Sequence, residues 1–428
     1  MKRVTGSRRS LGIGLGLLLP LLLALVAIYN GIVAERLVAS TVRGAIAVGM
    51  TPRALALDER RGRAFVVNGG DATVSVLDLR QGKVIRTIRI GAQPLLMAED
   101  HGSGHVIVVD NGDPNTFVRT SARVLDGVTG LIVRTTPVGV WPSDLALAAP
   151  LHRAFIAYFG SDSVVALDMV SGRVAWTSDV HAAAASVAVD ARAQRVLVVA
   201  RVITHGHLGP LSRAITLDAT SGKVLHALSL PTVDVPIAVD EATGHAFIAI
   251  ARGSGRGVAM LDDATGRLLK AIAVPAQGVN LLVMNTITGR LFVFGSTRQG
   301  GILAIIDARH GRLLRSTITG PWLGVATVNA RTGHVVAVHD DATPSTPDAS
   351  LDVLDGRTGV PMRTLSAGVD PVAVAVDGAT GQVVLANGRA TALTPRSWLT
   401  RVLPGFATGQ RQPYRPSHGI VSIVAEDR

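Results

Sequence analysis

Histidines and carboxylates are the groups from which this chain could build a hydrolytic or metal centre. It contains no cysteine, so thiolate ligands, disulfides, thiol nucleophiles and iron–sulfur clusters are excluded. Three stretches between apolar runs gather them: 110–121 carries Asp110 and Asp113, 201–213 carries His205 and His207, and 339–350 carries His339, Asp340 and Asp341. His205-Gly206-His207 offers two ligands to a metal whose remaining positions would be filled by carboxylates from elsewhere. Asp110-Asn-Gly-Asp-Pro-Asn115 has the oxygen-rich opening of a calcium loop but lacks the acidic closing ligand of an EF-hand. Trp141 and Trp322 add aromatic faces able to stack on a ligand. Solvated polar turns, with the tryptophans packed beneath them, account for the same residue types. The set requires no cofactor; calcium or another divalent metal is what it could take.

The elements that would position these residues are set by an internal repeat. The pairs Asp78/Gly82, Asp126/Gly130, Asp168/Gly172, Asp218/Gly222, Asp262/Gly266, Asp307/Gly311 and Asp355/Gly359 each follow an apolar run, always with the same spacing. They recur about every 46 residues, close to the period of a four-stranded propeller blade. The spacing has a mechanical cause: Asp accepts backbone N–H groups ahead of it, and Gly takes the left-handed conformation that turns the chain back. These aspartates are therefore read as hairpin residues and not as an acid–base or metal array. A second set (Asp58/Gly62, Asp100/Gly104, Asp240/Gly244, Asn285/Gly289, Asn329/Gly333, Asp377/Gly381) gives most units a second hairpin.

Each unit thus reads as four antiparallel strands, the first being 53–58, 63–68, 73–78 and 83–89. Short runs of Val, Ala, Leu and Ile suit sheets stacked face to face, and a composition that is 48% hydrophobic but 4% aromatic, with 46 Gly and 20 Pro, agrees. Innermost strands start near Arg53, Leu95, Asp144, Ser186, Ile237, Asn280, Gly324 and Val372. The expectation is an all-β propeller of eight four-stranded blades, with seven as the other count the spacing admits. The last unit breaks after Asn387 into an irregular insertion, 388–418, before the apolar run 420–425. Either that run and 37–48 complete the last blade from both chain ends, or 390–405 supplies the missing strands and the ends hang outside. The innermost strands are nearly free of ionisable groups, Glu99 and Asp144 excepted, which directs any site to the rim loops.

Ahead of the repeat, residues 1–10 carry Lys2, Arg3, Arg8 and Arg9 without an acid, and 11–29 are uncharged. A basic flank before an apolar run long enough to span a bilayer reads as a single N-terminal hydrophobic helix, a membrane anchor or the core of a cleaved signal. Both readings make 36–428 an extracytoplasmic propeller. Formal net charge is +11, and the basic residues occur mostly singly. Together with export, that argues against nucleic acid as a partner.

The phrases Val66-Val67-Asn68, Asp71-Ala72-Thr73-Val74-Ser75-Val76-Leu77-Asp78 and Ile88-Arg89-Ile90-Gly91 resemble the YVTN-type β-propeller repeat of bacterial exported and archaeal surface-layer proteins, over about residues 50 to 390. Phe or Val replaces the Tyr of that motif, and no Trp-Asp dipeptide of the WD40 kind occurs. The resemblance implies extracytoplasmic binding or scaffolding at the cell envelope, with an envelope protein or an anionic cell-surface polymer as partner, and it transfers no catalytic residue. The candidate ligand-binding residues of the rim are Asp110, Asp113, Trp141, His205, His207, Trp322, His339 and Asp340, none assigned a catalytic role; the alternative function is a metal-dependent, lactonase-like hydrolase using rim-loop residues. A quinoprotein dehydrogenase is a third reading, on analogy of fold alone.

Overall fold

The computed structural model describes residues 42–91, 93–111, 120–204, 207–231, 236–252, 255–320, 323–339, 349–388 and 418–425. The hydrophobic N-terminal segment and nearly all of the insertion 388–418 lie outside them. Among the described residues there are eight antiparallel sheets of four strands each, so the count of eight blades holds. After β1 (Val42–Met50), blade 1 comprises β2 (Pro52–Asp58), β3 (Arg63–Asn68), β4 (Thr73–Asp78) and β5 (Lys83–Arg89). Blade 2 is β6 (Pro94–Asp100), β7 (His105–Asp110), β8 (Ser121–Asp126) and β9 (Ile132–Pro137); blade 3 is β10 (Pro142–Ala148), β11 (Arg153–Tyr158), β12 (Ser163–Asp168) and β13 (Val174–Asp179). Blade 4 is β14 (Ala183–Asp190), β15 (Arg195–Thr204), β16 (His207–Asp218) and β17 (Val224–Pro231); blade 5 is β18 (Ile237–Asp240), β19 (His245–Arg252), β20 (Gly255–Asp262) and β21 (Leu268–Val274). Blade 6 is β22 (Gly278–Asn285), β23 (Arg290–Thr297), β24 (Gly300–Asp307) and β25 (Arg312–Ile318); blade 7 is β26 (Leu323–Val328), β27 (Val335–His339), β28 (Ala349–Leu354) and β29 (Pro361–Gly368).

Blade 8 is assembled from both ends of the chain: β30 (Pro371–Asp377), β31 (Gln382–Asn387), β32 (His418–Ala425) and then β1. Ala45 lies opposite Ser422 and Leu385 opposite the same Ser422, so β32 is clamped between the N-terminal strand and the preceding strand. Of the two readings of the last unit, closure through the chain ends is the one observed. Each innermost strand touches the next, and β2 touches β30, which completes the ring.

The repeated turns behave as the residue types require. Gly82, Gly130, Gly172, Gly222, Gly266, Gly311 and Gly359 all have φ between 58° and 74°. Asp218 accepts the N–H groups of Thr220 at 3.1 Å and Ser221 at 2.8 Å, and Asp355 those of Arg357 at 3.1 Å and Thr358 at 2.7 Å. The core lies between blades and not within any one of them. Phe65 and Val67 of blade 1 pack with Val106 and Val108 of blade 2, and Phe292 and Phe294 of blade 6 pack with Val335 and Ala337 of blade 7. Small residues permit this approach. At Gly356 an added Cβ would stand 1.7 Å from the Gly333 carbonyl oxygen of the same blade and 2.6 Å from Asn285 Nδ2 of blade 6, distances only glycine allows.

Candidate functional site

The second-to-third-strand hairpins and the interblade turns share one rim because the turns bond to the hairpins. Gly69 and Gly70 donate to the Thr51 and Met50 carbonyls at 2.8 and 2.9 Å, Phe159 and Gly160 to Trp141 and Val140 at 2.9 and 3.1 Å, and Gly388 to Asp370 at 2.7 Å. Thr51, Trp141, His181 and Asp370 adopt φ values of 54°, 56°, 50° and 57° to make these turns. This strained backbone fixes the rim. Trp141 lies 40% exposed, its ring seated over Gly160, where a Cβ would meet it at 3.0 Å.

Two of the rim residues expected to meet a ligand instead tie the fold together. Asp110, at the end of β7, is buried; it accepts the Ser121 N–H at 2.9 Å and pairs with Arg123, both on the neighbouring strand. His339, at the end of β27, is buried and bonds through Nε2 to Asp352 of β28 at 2.8 Å. Burial works to raise Asp352, but the His339 and Thr364 hydrogen bonds hold its carboxyl below the ordinary range. Asn68 and Asn387 occupy the same place in their blades and make the same latch, Asn68 to Thr73 and Ser75 at 3.0 and 2.9 Å, Asn387 to Ser422 at 2.9 Å. A polar residue at the end of the second strand therefore fastens the third strand in four blades.

Asp113, His205, Trp322 and Asp340 lie outside the described residues, and His207 opens β16. The stretch 201–213, expected as a loop, is largely ladder: Arg201 pairs with Ser212, Ile203 with Leu208 and Thr204 with His207. The register carries the paired strands of this hairpin as far as Thr204 and His207. On the inner strands, Asp144 is half-buried and accepts the Leu145 N–H at 2.8 Å and, across the seam, the Val187 N–H at 2.9 Å; desolvation pushes its carboxyl up. It joins blades 3 and 4. Glu99 is buried against His101, and their hydrogen bond raises the His101 imidazole. Among the described residues no three histidine, aspartate or glutamate side chains are grouped to hold a metal.

Two features escaped the reading of the sequence. One is a groove of about 570 Å³ between blades 5 and 6, lined by Gln277, Thr297, Arg298, Gln299, Ser316 and Ile318 among others; nothing in the local sequence marks it. The other is a carboxyl pair at the opposite end of the sheets, where Asp263 meets Asp190. Both are buried, and neither Oδ2 has another partner. Its signal was present in the doubled Asp262-Asp263.

The class these features define is an eight-bladed propeller with a braced rim. The family model described as outer membrane protein assembly factor BamB matches residues 140–363, a little over half of the 428-residue chain. The chain belongs to that family. The kinship expected from the YVTN-type phrases thus holds for a repeated propeller blade, but the family is this one. Among solved structures, BamB from Moraxella catarrhalis is similar with a TM-score of 0.55 and 13% identity, over 81% of this chain and 96% of that one. Kuenenia stuttgartiensis hydrazine synthase is similar with a TM-score of 0.51 and 13% identity, over 68% of this chain and 93% of that one. At such identity the likeness is one of fold. No curated protein matches the chain.

Proposed function

We propose that this protein is a non-enzymatic binding and assembly module of the cell envelope, which docks partner proteins on the rim made by the second-to-third-strand hairpins and interblade turns. The observation that carries the reading is what the rim does with its polar groups. Asp110 and His339, the described residues best suited to chemistry, are buried and spent on fastening neighbouring strands. What the rim leaves open is surface: an exposed Trp141, extended hairpins and the groove beside blade 6. Membership of the family described as an outer membrane assembly factor supports an envelope partner. The basic flank and uncharged run at residues 1–29 support export, with the segment either retained as an anchor or removed.

Cross-linking full-length protein in intact cells, followed by mass spectrometry, tests this. A discrete complex with an envelope protein, cross-linked through rim residues, is the expected result. Cross-links confined to the opposite face, or none above those of an unrelated exported protein, would overturn it.

A further inference from the structure

The acids of this chain are unevenly placed. Between Asp263 and Asp340 the only acidic residue is Asp307, against Arg267, Lys270, Arg290, Arg298, Arg309, Arg312, Arg315 and Arg331. Asp307 is already engaged, by Arg290 at 3.3 Å and His310 at 3.2 Å. The stretch covers the outer part of blade 5, all of blade 6 and the inner part of blade 7, and blade 6 is its centre. Among the described residues, the second-to-third-strand hairpins of blades 1 to 3 carry acids, Asp71, Asp110 and Asp162.

Blade 6 also presents an edge. Its sheet ends at β25, which among the described residues pairs as a strand only with β24, so the backbone groups on its outer side face away from the sheet. Arg312, Leu314, Arg315, Ser316 and Ile318 along it are exposed, with Ile318 at 52%. At its rim end Ser316, Thr317 and Ile318 form one wall of the groove, and Gln277, Thr297, Arg298 and Gln299 form much of the rest. Amides and hydroxyls suit peptide groups, Ile302 and Ile318 suit apolar side chains, and a single guanidinium, Arg298, suits one carboxylate. A polymer of closely spaced phosphates would call for a row of cations in the groove instead. Charged side chains on an edge strand deter pairing with like-charged copies of the chain, and a strand of opposite charge escapes that deterrent.

We propose that the outer edge of blade 6, β25 together with the groove at its rim end, receives an extended acidic segment of a partner polypeptide by strand addition. Main-chain pairing along β25 would supply affinity, Arg312 and Arg315 would select acidic side chains, and Arg298 would fix the end of the segment. This rests on the binding-module reading and names the partner's chemistry.

The test is fluorescence anisotropy on the full-length protein with a short labelled peptide alternating Asp and Val. Its companions are the Asn-for-Asp peptide, an Asp-Val peptide N-methylated on alternate residues, and polyphosphate as competitor. The Asp-Val peptide is expected to bind at least about tenfold more tightly than either modified peptide, and Arg298→Glu with Arg315→Glu to weaken it by about tenfold or more at unchanged melting temperature. No binding, equal binding of the acidic and amide peptides, indifference to N-methylation, or polyphosphate outcompeting the peptide would each overturn the proposal. Cellular cross-linking keeps the two readings apart. A rim complex that persists in the Arg298→Glu/Arg315→Glu protein refutes the blade 6 edge and leaves the binding module standing, whereas absence of any rim complex in the native protein refutes the module itself.

Discussion

Asp263 stands one residue past its turn aspartate, where the other units have Leu79, Gly127, Met169, Ala219, Ala308 and Gly356. An acid at this apolar position meets Asp190 of the preceding blade, which also accepts the Ala193 N–H at 2.6 Å. Burial first, then the contact with Asp190 and the nearby Asp262, pushes Asp263 up to about 7, against an opposing pull from Arg195. Glu241, close to Asp190 and Asp240, is also raised, chiefly by burial. A folded-state value above the unfolded one means that the pair's contribution to stability is whole below about pH 4 and lost as pH rises through about 7. Asp263→Ala, the residue found in blades 4 and 6, is therefore expected to raise stability at pH 8 by on the order of 2 kcal/mol and to change it little at pH 4. Thermal melts at both pH values check this, and an equal effect at each would refute a raised Asp263 carboxyl. The half-buried turn aspartates act oppositely. Backbone N–H groups first hold Asp126 and Asp218 low, and threonine hydroxyls first hold Asp262 and Asp355 low, so their contribution is present above about pH 4 and fades in acid.

Roles at this scale were legible in the sequence only where they are local. A turn aspartate is recognised because its partners lie two and three residues ahead. Asp110 and His339 were misread because their partners, Arg123 and Asp352, lie 13 residues away on the next strand, and only the register reveals them. The same holds for Asp144, whose second partner, Val187, belongs to the next blade.

At the scale of elements, strand order and hairpin positions followed from the repeat, with innermost strands starting within a few residues of their expected sites. The stretch 201–213 was expected as a loop; Val202 and Ile203 are adjacent and Gly209-Pro210 interrupt the return strand, so no period of two marked the ladder that the register reveals. Close approach between two turns of blade 7 gives a direct expectation: Gly356→Ala would drive a methyl into the Gly333 carbonyl and cost about 1–3 kcal/mol, measurable by urea denaturation. Closure gives another. The chain has no cysteine, and Ala45 faces Ser422 across β1 and β32, so Ala45→Cys with Ser422→Cys should oxidise to one intramolecular disulfide. A double variant that remains fully reduced under air oxidation would contradict the pairing.

For the whole molecule, a ring locked by both chain ends gives a rigid body whose rim can be elaborated hairpin by hairpin. The +11 net charge said little while it was read as an average. Residues 264–339 alone carry eight Lys and Arg against one Asp, a basic sector centred on blade 6 and suited to orienting a partner. The most direct measurement of the central claim is hydrogen exchange on the full-length protein, alone and in its purified cross-linked complex. Slowed exchange in the rim hairpins and interblade turns, centred on blades 5 and 6, is the expected result. Protection restricted to the turns at the opposite end of the sheets, with the rim unchanged, would contradict a module that binds through its rim.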